Sequence, residues 1–275
     1  MRIEFFGIRG TYPIAPRRGT IYGGHTPSAL VRTAAGSNLV VDAGTGLLPL
    51  ENALSGGTGE TPRPLHVLFT HFHFDHVSGL PFFRALYRKD ADLRFYSAGP
   101  PALLRRLLGA FMTGPYFPVE FAATPSRKEY RDVVGPRPVE IGGVSISSCP
   151  LNHPQGCAAY RIEENGRSIV FATDTEHFAG GVDARLAAFA LGADVLIYDA
   201  TFTPAEYAAD KKGWGHSTWA AGVELARASG AGKLILSHLN PDHPDAKIKR
   251  LEAAARKAFP RSVFAREGMI LRLEK

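Results

Sequence analysis

The sequence predicts an α/β fold, arranged as a four-layer αββα sandwich in which two β-sheets face each other and helices cover their outer faces. Short apolar strand patterns, separated by glycine-rich turns, fill the first third of the chain and return between residues 139 and 172, which indicates two sheets. Strands alternate with helical patterns from residue 65 to 112 and again from 183 onward, which places helices outside those sheets. No linker interrupts the pattern, so we expect one domain over residues 1–275.

Composition indicates an ordinary globular protein. The 275 residues are 45% hydrophobic, enough to bury a large core. No apolar run approaches a membrane span, and the N-terminus starts directly in a strand pattern, so we expect no signal peptide, no membrane association and a cytoplasmic location. The two cysteines, Cys149 and Cys157, fit that compartment as free, buried thiols.

The charge balance gives a mild preference for anionic partners. With 32 basic and 26 acidic residues the net charge is +6, which is compatible with phosphorylated substrates. The basic residues form short clusters rather than the concentrated stripe typical of nucleic-acid-binding proteins.

The first half of the chain supplies one sheet and its helices. Strands are predicted at 2–6, 28–33, 38–42, 65–69 and 93–97, and helices from residue 47, at 81–87 and at 102–112. Residues 55–64 are rich in glycine, proline and threonine and are predicted as a surface loop. Residues 111–119 are aromatic and punctuated by proline and glycine, which indicates a loop that is a lid over a base, a dimer contact or a cover for the core.

The second half repeats the arrangement. Strand patterns at 139–150 and 158–172 surround a hairpin turn at Asn165-Gly166. Helices are predicted at 183–191, 218–228 and 246–258, alternating with strands at 195–199 and 233–237. A final strand pair is predicted at 262–264 and 269–273.

The sequence is organised around one stretch, His71-Phe72-His73-Phe74-Asp75-His76, which directly follows the apolar strand 65–69. Imidazole and carboxylate groups are the usual ligands of zinc and neighbouring metals. A solvated turn rich in histidine is the alternative, but two phenylalanines suit such a turn poorly. The stretch therefore predicts a metal site at the end of a buried strand.

The same stretch resembles the HxHxDH signature of the metallo-β-lactamase superfamily, and the order of later motifs is similar to its ribonuclease Z-like phosphodiesterase branch. The resemblance implies the metallo-β-lactamase fold and a centre of two divalent metal ions. We expect zinc, with manganese and iron as alternatives. Its implied ligands are His71, His73 and His153 for one ion, Asp75, His76 and His238 for the other, and Asp174 as the bridge. It also implies that Asp42 orients a liganding histidine.

A later pair of segments indicates the reaction. Tyr198-Asp199-Ala200-Thr201-Phe202 and His216-Ser217-Thr218 resemble motifs of the phosphodiesterase branch. Two metal ions lower the pKa of a bound water toward neutrality, which provides a hydroxide nucleophile that bridges them. We expect Asp75 to orient that nucleophile, and His216, held by Asp199, to donate a proton to the leaving oxygen.

Substrate contacts are predicted at two places. A helix starting at Ser217 or Thr218 would offer backbone N–H groups to phosphate, although Ser217 as a simple helix cap is the alternative. Arg9 lies in a Gly-Ile-Arg-Gly loop that binds phosphate in the resembled family, and a structural arginine bonded to a backbone carbonyl is the alternative there. Five aromatic side chains are candidates for stacking on a base, namely Tyr116, Phe117, Tyr207, Trp214 and Trp219.

One departure from the resembled branch bears on substrate size. Ribonuclease Z enzymes carry a long tRNA-clamping arm between the third metal histidine and the bridging aspartate, whereas Asp174 follows His153 by only 21 positions. We therefore expect a phosphodiesterase for small phosphodiesters, above all 3′,5′-cyclic nucleotides. The alternatives are a ribonuclease Z-like RNA 3′-processing endonuclease and a non-catalytic metal-binding sensor. The resemblance also implies a homodimer.

Overall fold

The predicted α/β sandwich is confirmed by the computed structural model, which describes residues 1–15, 20–55 and 64–273. Within these residues the first sheet has seven strands, in the spatial order β14 (Ile270–Arg272), β1 (Arg2–Gly7), β2 (Ser28–Arg32), β3 (Asn38–Val41), β4 (Leu65–Phe69), β5 (Asp92–Ser97) and β6 (Arg127–Asp132). The second described sheet also has seven, in the order β13 (Ser262–Phe264), β12 (Lys233–Ser237), β11 (Val195–Asp199), β10 (Arg167–Ala172), β9 (Cys157–Glu164), β8 (Val144–Leu151) and β7 (Val139–Ile141).

Helices cover the outer faces of both sheets. The α-helices are α1 (Leu47–Ser55), α2 (Phe74–Val77), α3 (Pro101–Phe111), α4 (Ala184–Phe189), α5 (Pro204–Glu206), α6 (Trp219–Ala228) and α7 (Asp245–Ala258). Single 3₁₀ turns lie at Leu80–Phe82, Arg84–Tyr87 and Phe121–Ala123, and a π-helical turn follows α5 at Tyr207–Lys211. Helices α1 and α3 pack on the first sheet, and α4, α6 and α7 on the second. Among the described residues, no helix has both the length and the hydropathy needed to cross a bilayer.

Two apolar clusters follow from this layering. The larger one fills the space between the sheets, with Ile3 and Ile146, and continues to the helices on the second sheet, with Leu186 and Ile248. The other joins the outer face of the first sheet to α1 and α3 through residues such as Leu50 and Leu104. Central strand β4 is buried on both faces, and four of its five residues are apolar, as is usual for a strand covered on both sides. The two cysteines are free and buried, as predicted.

Four local expectations need correction. The helix predicted at 81–87 is instead the pair of 3₁₀ turns at Leu80–Phe82 and Arg84–Tyr87. The strand predicted at 139–150 is a hairpin, because Gly142 and Gly143 turn the chain with φ of 59° and 84°. Strand β6 was not predicted, since its polar sequence RKEYRD suits a sheet edge rather than a core. Strands β13 and β14 lie in different sheets and do not pair with each other.

Other expectations hold within about two residues, including the Asn165-Gly166 turn, where both residues have positive φ. The surface loop predicted at 55–64 lies almost entirely outside the described residues. Residues 111–119 form the end of α3 and a loop, in which Phe117 packs edge-on against Phe82 and Tyr116 is 86% exposed.

The fold brings several strand ends to one edge. Strands β3, β4 and β5 are mutually parallel, as are β10, β11 and β12, and β8 runs in the same direction as β10 because both are antiparallel to β9. Residues that follow the carboxyl ends of such strands gather at one edge of the sandwich. That edge carries every predicted metal-binding residue.

Candidate metal centre and active site

The loop after β4 starts the site. His71 follows the strand closely, His73 caps the short helix α2, and Asp75 and His76 lie inside that helix. The helix turns Phe74 outward, where it is 68% exposed, while Asp75 and His76 are buried. The sequence HFHFDH thus directs its polar side chains inward by a turn of helix rather than by strand alternation.

The other strand ends complete the cluster. His153 follows β8, Asp174 follows β10 and His238 follows β12. Asp174 and His238 have φ of 62° and 57°, in the left-handed region that residues other than glycine rarely adopt. Such backbone strain collects at functional sites, and here it aims both side chains into the cluster.

All seven predicted metal ligands come together in overlapping groups of three; of the five such groups among the described residues, three consist of predicted ligands alone and two include His216. Within each group the possible ligand atoms lie within 4.8 Å of one another. The three groups of predicted ligands are His71, His73 and His153; His71, His76 and Asp174; and Asp75, His76 and His238. Asp174 lies between the two histidine sets, since its Oδ1 is 3.8 Å from Nε2 of His71 in the first set and 3.1 Å from Nε2 of His238 in the second.

Each histidine of the cluster is held through its other ring nitrogen, as metal-binding histidines usually are. The partners are Thr70 Oγ1 for His71, Gln155 Oε1 for His73, Asp42 Oδ2 for His76, the Gly215 carbonyl for His153 and Thr201 Oγ1 for His238, at 2.7–3.1 Å. Of these partners, the sequence indicated Asp42 alone. The sequence did contain an indication for Thr201, because this residue belongs to the Asp-Ala-Thr-Phe segment that was assigned to the site from the sequence.

The electrostatics of the cluster favour bound positive charge. Burial lowers the pKa of His71 well below its usual value, which favours the neutral imidazole that binds metals. Burial has the same effect on the pKa of His238, but Asp174, Asp75 and Asp199 overcome it and raise that pKa to about 9. The same balance raises the pKa of His76 well above its usual value. Although burial opposes it, nearby imidazolium groups hold the pKa of Asp174 well below the usual range.

The residues present fit a pair of divalent ions. His71 Nε2 and Asp174 Oδ2 are buried polar atoms without a hydrogen-bond partner, and such atoms are costly unless something binds them. Both belong to the groups just described. A donor set of imidazoles and carboxylates suits zinc and its first-row neighbours.

His216 lies beside this cluster and is paired with Asp199. Its Nδ1 is 2.9 Å from Asp199 Oδ2, and its ring stacks on that of His238 with centroids 4.8 Å apart. Asp199 is fully buried, and its Oδ1 accepts hydrogen bonds from the backbone N–H groups of Thr201 and Ser217. Burial raises the pKa of Asp199, but His216 outweighs it and the net shift is downward. A fixed carboxylate of this kind favours a proton on Nδ1 of His216.

The three residues predicted to contact substrate all make hydrogen bonds within the protein. Arg9 is 1% exposed, and its guanidinium donates to the carbonyls of Gly23, Asn240 and His243. It joins the N-terminal loop to the segment after β12, as the structural alternative expects, while its contact with phosphate stays a prediction. Burial lowers the pKa of Arg9, and Asp245 partly opposes this effect.

Ser217 and Thr218 are also engaged by the protein. The Ser217 hydroxyl is fully buried between His177 Nδ1 and the Tyr198 hydroxyl. Thr218 is the N-cap of α6, and its side chain accepts a hydrogen bond from the Ala221 N–H. Both side chains are thus used within the protein, and the predicted phosphate contact through backbone N–H groups at the start of α6 stays a prediction. Among the aromatic candidates for stacking on a base, Tyr207 donates a hydrogen bond from its hydroxyl to Glu176, whereas the side chain of Trp214 is 56% exposed.

Sequence reasoning did not find Glu176 or Gln155. Gln155 Oε1 lies 2.9 Å from His73 Nε2, and Glu176 bonds the loop that carries His216. Both lie close to predicted ligands in the sequence. Neither belongs to a motif, so nearness along the chain was the available signal.

Comparison with known proteins gives a consistent result. The family model of the beta-lactamase superfamily domain matches residues 37–239. Ribonuclease Z of Bradyrhizobium diazoefficiens is 26% identical over 319 aligned positions that cover 96% of each chain. Ribonuclease Z of Salinibacter ruber is 29% identical over 290 positions, 87% of each chain. The metallo-beta-lactamase fold protein YhfI of Bacillus subtilis superposes with a TM-score of 0.73 at 21% identity, covering 98% of both chains.

Proposed function

The chain belongs to the beta-lactamase superfamily, and on that premise we propose that it is a ribonuclease Z-like endonuclease that cleaves RNA near its 3′ end. At the level of reaction class it is a metal-dependent phosphodiester hydrolase. The names of the two curated relatives support RNA as the substrate. This reverses the order of preference drawn from the sequence, in which RNA cleavage was the alternative.

One observation carries the reaction class. Seven imidazole and carboxylate side chains converge at one edge of the sandwich, beside a histidine that a buried carboxylate orients. We propose that His71, His73 and His153 hold one ion, that Asp75, His76 and His238 hold a second, and that Asp174 bridges them. Zinc is the proposed metal, with manganese and iron as alternatives.

Bound ions would supply positive charge to the phosphate oxygens and lower the pKa of a water toward neutrality. The side chains of this protein do the rest. Thr11 N–H donates to Asp75 Oδ2 at 2.7 Å, which fixes the carboxylate that we propose orients the attacking water. With protons on both ring nitrogens, His216 donates the one on Nε2 to the departing oxygen and keeps its Nδ1–H, which donates to Asp199 Oδ2, so the leaving group departs as an alcohol.

A second candidate is hydrolysis of 3′,5′-cyclic nucleotides, favoured because the described residues between His153 and Asp174 form no long arm. The described chain between His153 and Asp174 consists of a tight turn and the β9–β10 hairpin. The alignment with the Bradyrhizobium relative spans 319 positions, so the relative has at least 44 positions with no counterpart in this chain of 275 residues. A small substrate requires no such extension.

A cavity beside the centre supports a nucleoside in either case. It has a volume of about 390 Å³ and opens next to His71, and none of its described lining residues is Asp, Glu, Lys or Arg. Phe72 and Leu107 supply apolar walls, and Gln155 lies at its edge. An uncharged, mainly apolar lining suits a base better than a phosphate.

The deciding experiment compares a precursor tRNA carrying a 3′ trailer with 2′,3′- and 3′,5′-cyclic nucleotides. Each is assayed with the zinc-loaded and the manganese-loaded protein, beside His216→Ala. Release of the trailer, with kcat/KM about 100-fold above that for any cyclic nucleotide, supports the endonuclease. The reverse ratio supports the cyclic nucleotide reaction. Metal-loaded protein that is inert on both would favour the sensor.

Two further properties stay predictions. We propose a homodimer and a cytoplasmic location. Sedimentation equilibrium of the metal-loaded protein tests the dimer, and fractionation of the source cells tests the compartment.

A further inference from the structure

Glu176 makes an unusual set of contacts two residues after Asp174. Its Oε1 accepts hydrogen bonds from the Tyr207 hydroxyl and from the Gly213 N–H, both at 2.7 Å. Its Oε2 accepts from the Gly215 N–H at 2.9 Å. The carboxylate therefore holds two alternate N–H groups of the loop that ends at His216.

That loop touches the metal centre directly. The Gly215 carbonyl lies 2.7 Å from His153 Nδ1, and His216 is the next residue. A Cβ built on Gly215 would lie 2.3 Å from Pro154 Cδ and 2.5 Å from His153 Nδ1, so the backbone itself packs on the ligand. Gly215 also has φ of 80°, which favours glycine. A small shift of this loop would move both His153 and His216.

The backbone of Glu176 is tied to the other side of His153. Its N–H donates to the Asn152 carbonyl at 2.8 Å, and Asn152 Nδ2 donates to the Glu176 carbonyl at 3.0 Å. One residue therefore joins three segments, namely the turn after β8, the turn after β10 and the loop before α6.

We propose that Glu176 is a positioning residue that sets His153 for metal binding and His216 for proton donation, by fixing residues 213–216. The part that concerns His216 rests on the proposed phosphodiesterase function. Glu176 does not touch the reacting atoms in this account. It acts through the Gly215 carbonyl on His153 and through the chain direction on His216.

The substitution Glu176→Gln isolates this role. Glutamine keeps the size of the side chain, but its amide nitrogen is a donor and would meet a backbone N–H where glutamate presents an acceptor. The loop must then move, because two donors facing each other cannot form a hydrogen bond. Glu206→Gln is the matched control. Glu206 likewise accepts from a backbone N–H, that of Thr203, and from Lys247 and His243, none of which belongs to the loop.

The first readout is metal binding without substrate. Zinc affinity of the metal-free protein is measured by competition with a chromophoric chelator, and circular dichroism checks the fold. Partners that orient metal ligands usually change affinity 10- to 100-fold. We expect zinc affinity to fall about 10-fold in Glu176→Gln and to stay within 2-fold of wild type in Glu206→Gln. Equal affinity in the two variants would overturn the positioning of His153.

The second readout is sensitivity to the leaving group. The p-nitrophenolate ion departs without a proton, whereas phenolate needs one, so diphenyl phosphate depends on His216 more than bis-p-nitrophenyl phosphate does. At saturating zinc we expect Glu176→Gln to lose about 10-fold more rate on the phenyl ester than on the nitrophenyl ester. Equal losses on both esters, or no loss, would overturn the positioning of His216. A wild-type protein inert on both esters would refute the proposed function, and the zinc titration would still decide the role of Glu176.

Discussion

The Nε2 atoms of His76 and His238 lie 3.4 Å apart inside the protein, and both face Oδ1 of Asp174. Two ring nitrogens so close repel each other unless a proton or a metal ion lies between them. The other nitrogens of both rings are bound to Asp42 and Thr201, so neither ring can turn away without breaking a buried hydrogen bond. The two rings are therefore held in a position where a cation can bind between them. This arrangement supports a metal-dependent reaction.

The substitution Asp42→Asn tests how strongly the fixed orientation of His76 affects metal binding. Asp42 Oδ2 lies 2.9 Å from His76 Nδ1 and also accepts from the Thr70 hydroxyl at 2.8 Å. Replacing the carboxylate by an amide in Asp42→Asn keeps the shape and weakens the hold on His76. We expect zinc affinity to fall 10- to 100-fold while the far-ultraviolet circular dichroism is unchanged. An affinity equal to that of wild type would show that His76 needs no such support.

Gly10 tests the position of His238 from the opposite side. A Cβ at Gly10 would lie 2.2 Å from His238 Cε1, so the ring must shift in Gly10→Ala. We expect the variant to fold and to lose zinc affinity by about 10-fold or more. Gly180→Ala is the control, because a Cβ there has no neighbour within 4 Å. Zinc titrations of the two variants should differ, and matching curves would contradict the assigned role of His238.

His216→Ala tests the proton donor. General acid catalysis typically contributes 10²- to 10⁴-fold, so we expect turnover of diesters with poor leaving groups to fall by that range. Zinc content should stay at the wild-type value, since His216 is not among the seven proposed ligands. Elemental analysis and initial rates on the same sample provide the measurement. Loss of zinc together with activity would make His216 a metal ligand instead.

His66 tests a pH dependence away from the site. Burial, followed by Arg94, lowers the pKa of His66 to about 4. Above pH 6.5 neither state binds the proton, whereas between 6.5 and 4 the unfolded chain binds it and the native state does not. As the pH falls from 6.5 to 4, the free energy of unfolding therefore decreases by up to about 3 kcal/mol. Below pH 4 this contribution does not change further.

The comparison with His66→Gln isolates this contribution. Urea unfolding at pH 7.5 and 4.5 should show a smaller acid loss for the variant than for wild type. Other titrating groups are common to both proteins and cancel in the difference. Equal losses would mean that His66 is protonated in the native state.

The sequence predicted the layers of the fold because its strands adjoin glycine and proline turns and its helices are amphipathic. Prediction from the sequence failed where contacts between residues far apart in the sequence determine the structure. The charged strand β6 is a strand because it pairs in parallel with β5 at the sheet edge, and this pairing leaves no periodic apolar signal.

The site shows the same division. The composition of residues 71–76 is enough to predict a metal site there. The positions His153, Asp174 and His238 were predicted from the family resemblance. Arg9 could not be assigned from the sequence, since two of its partners, Asn240 and His243, lie more than 230 residues away. The contacts of Glu176 could not be predicted from the sequence for another reason. Two of its three carboxylate partners are backbone N–H groups, which have no sequence signature.

The most direct test of the account is hydrolysis of bis-p-nitrophenyl phosphate by one preparation before chelation, after chelation and after zinc is restored. We predict that the stripped protein is inactive and that activity returns in proportion to zinc, up to about two ions per chain, as expected for a two-metal site. Hydrolysis that survives complete removal of metal would contradict the account. So would a protein that binds two zinc ions and cleaves no phosphodiester.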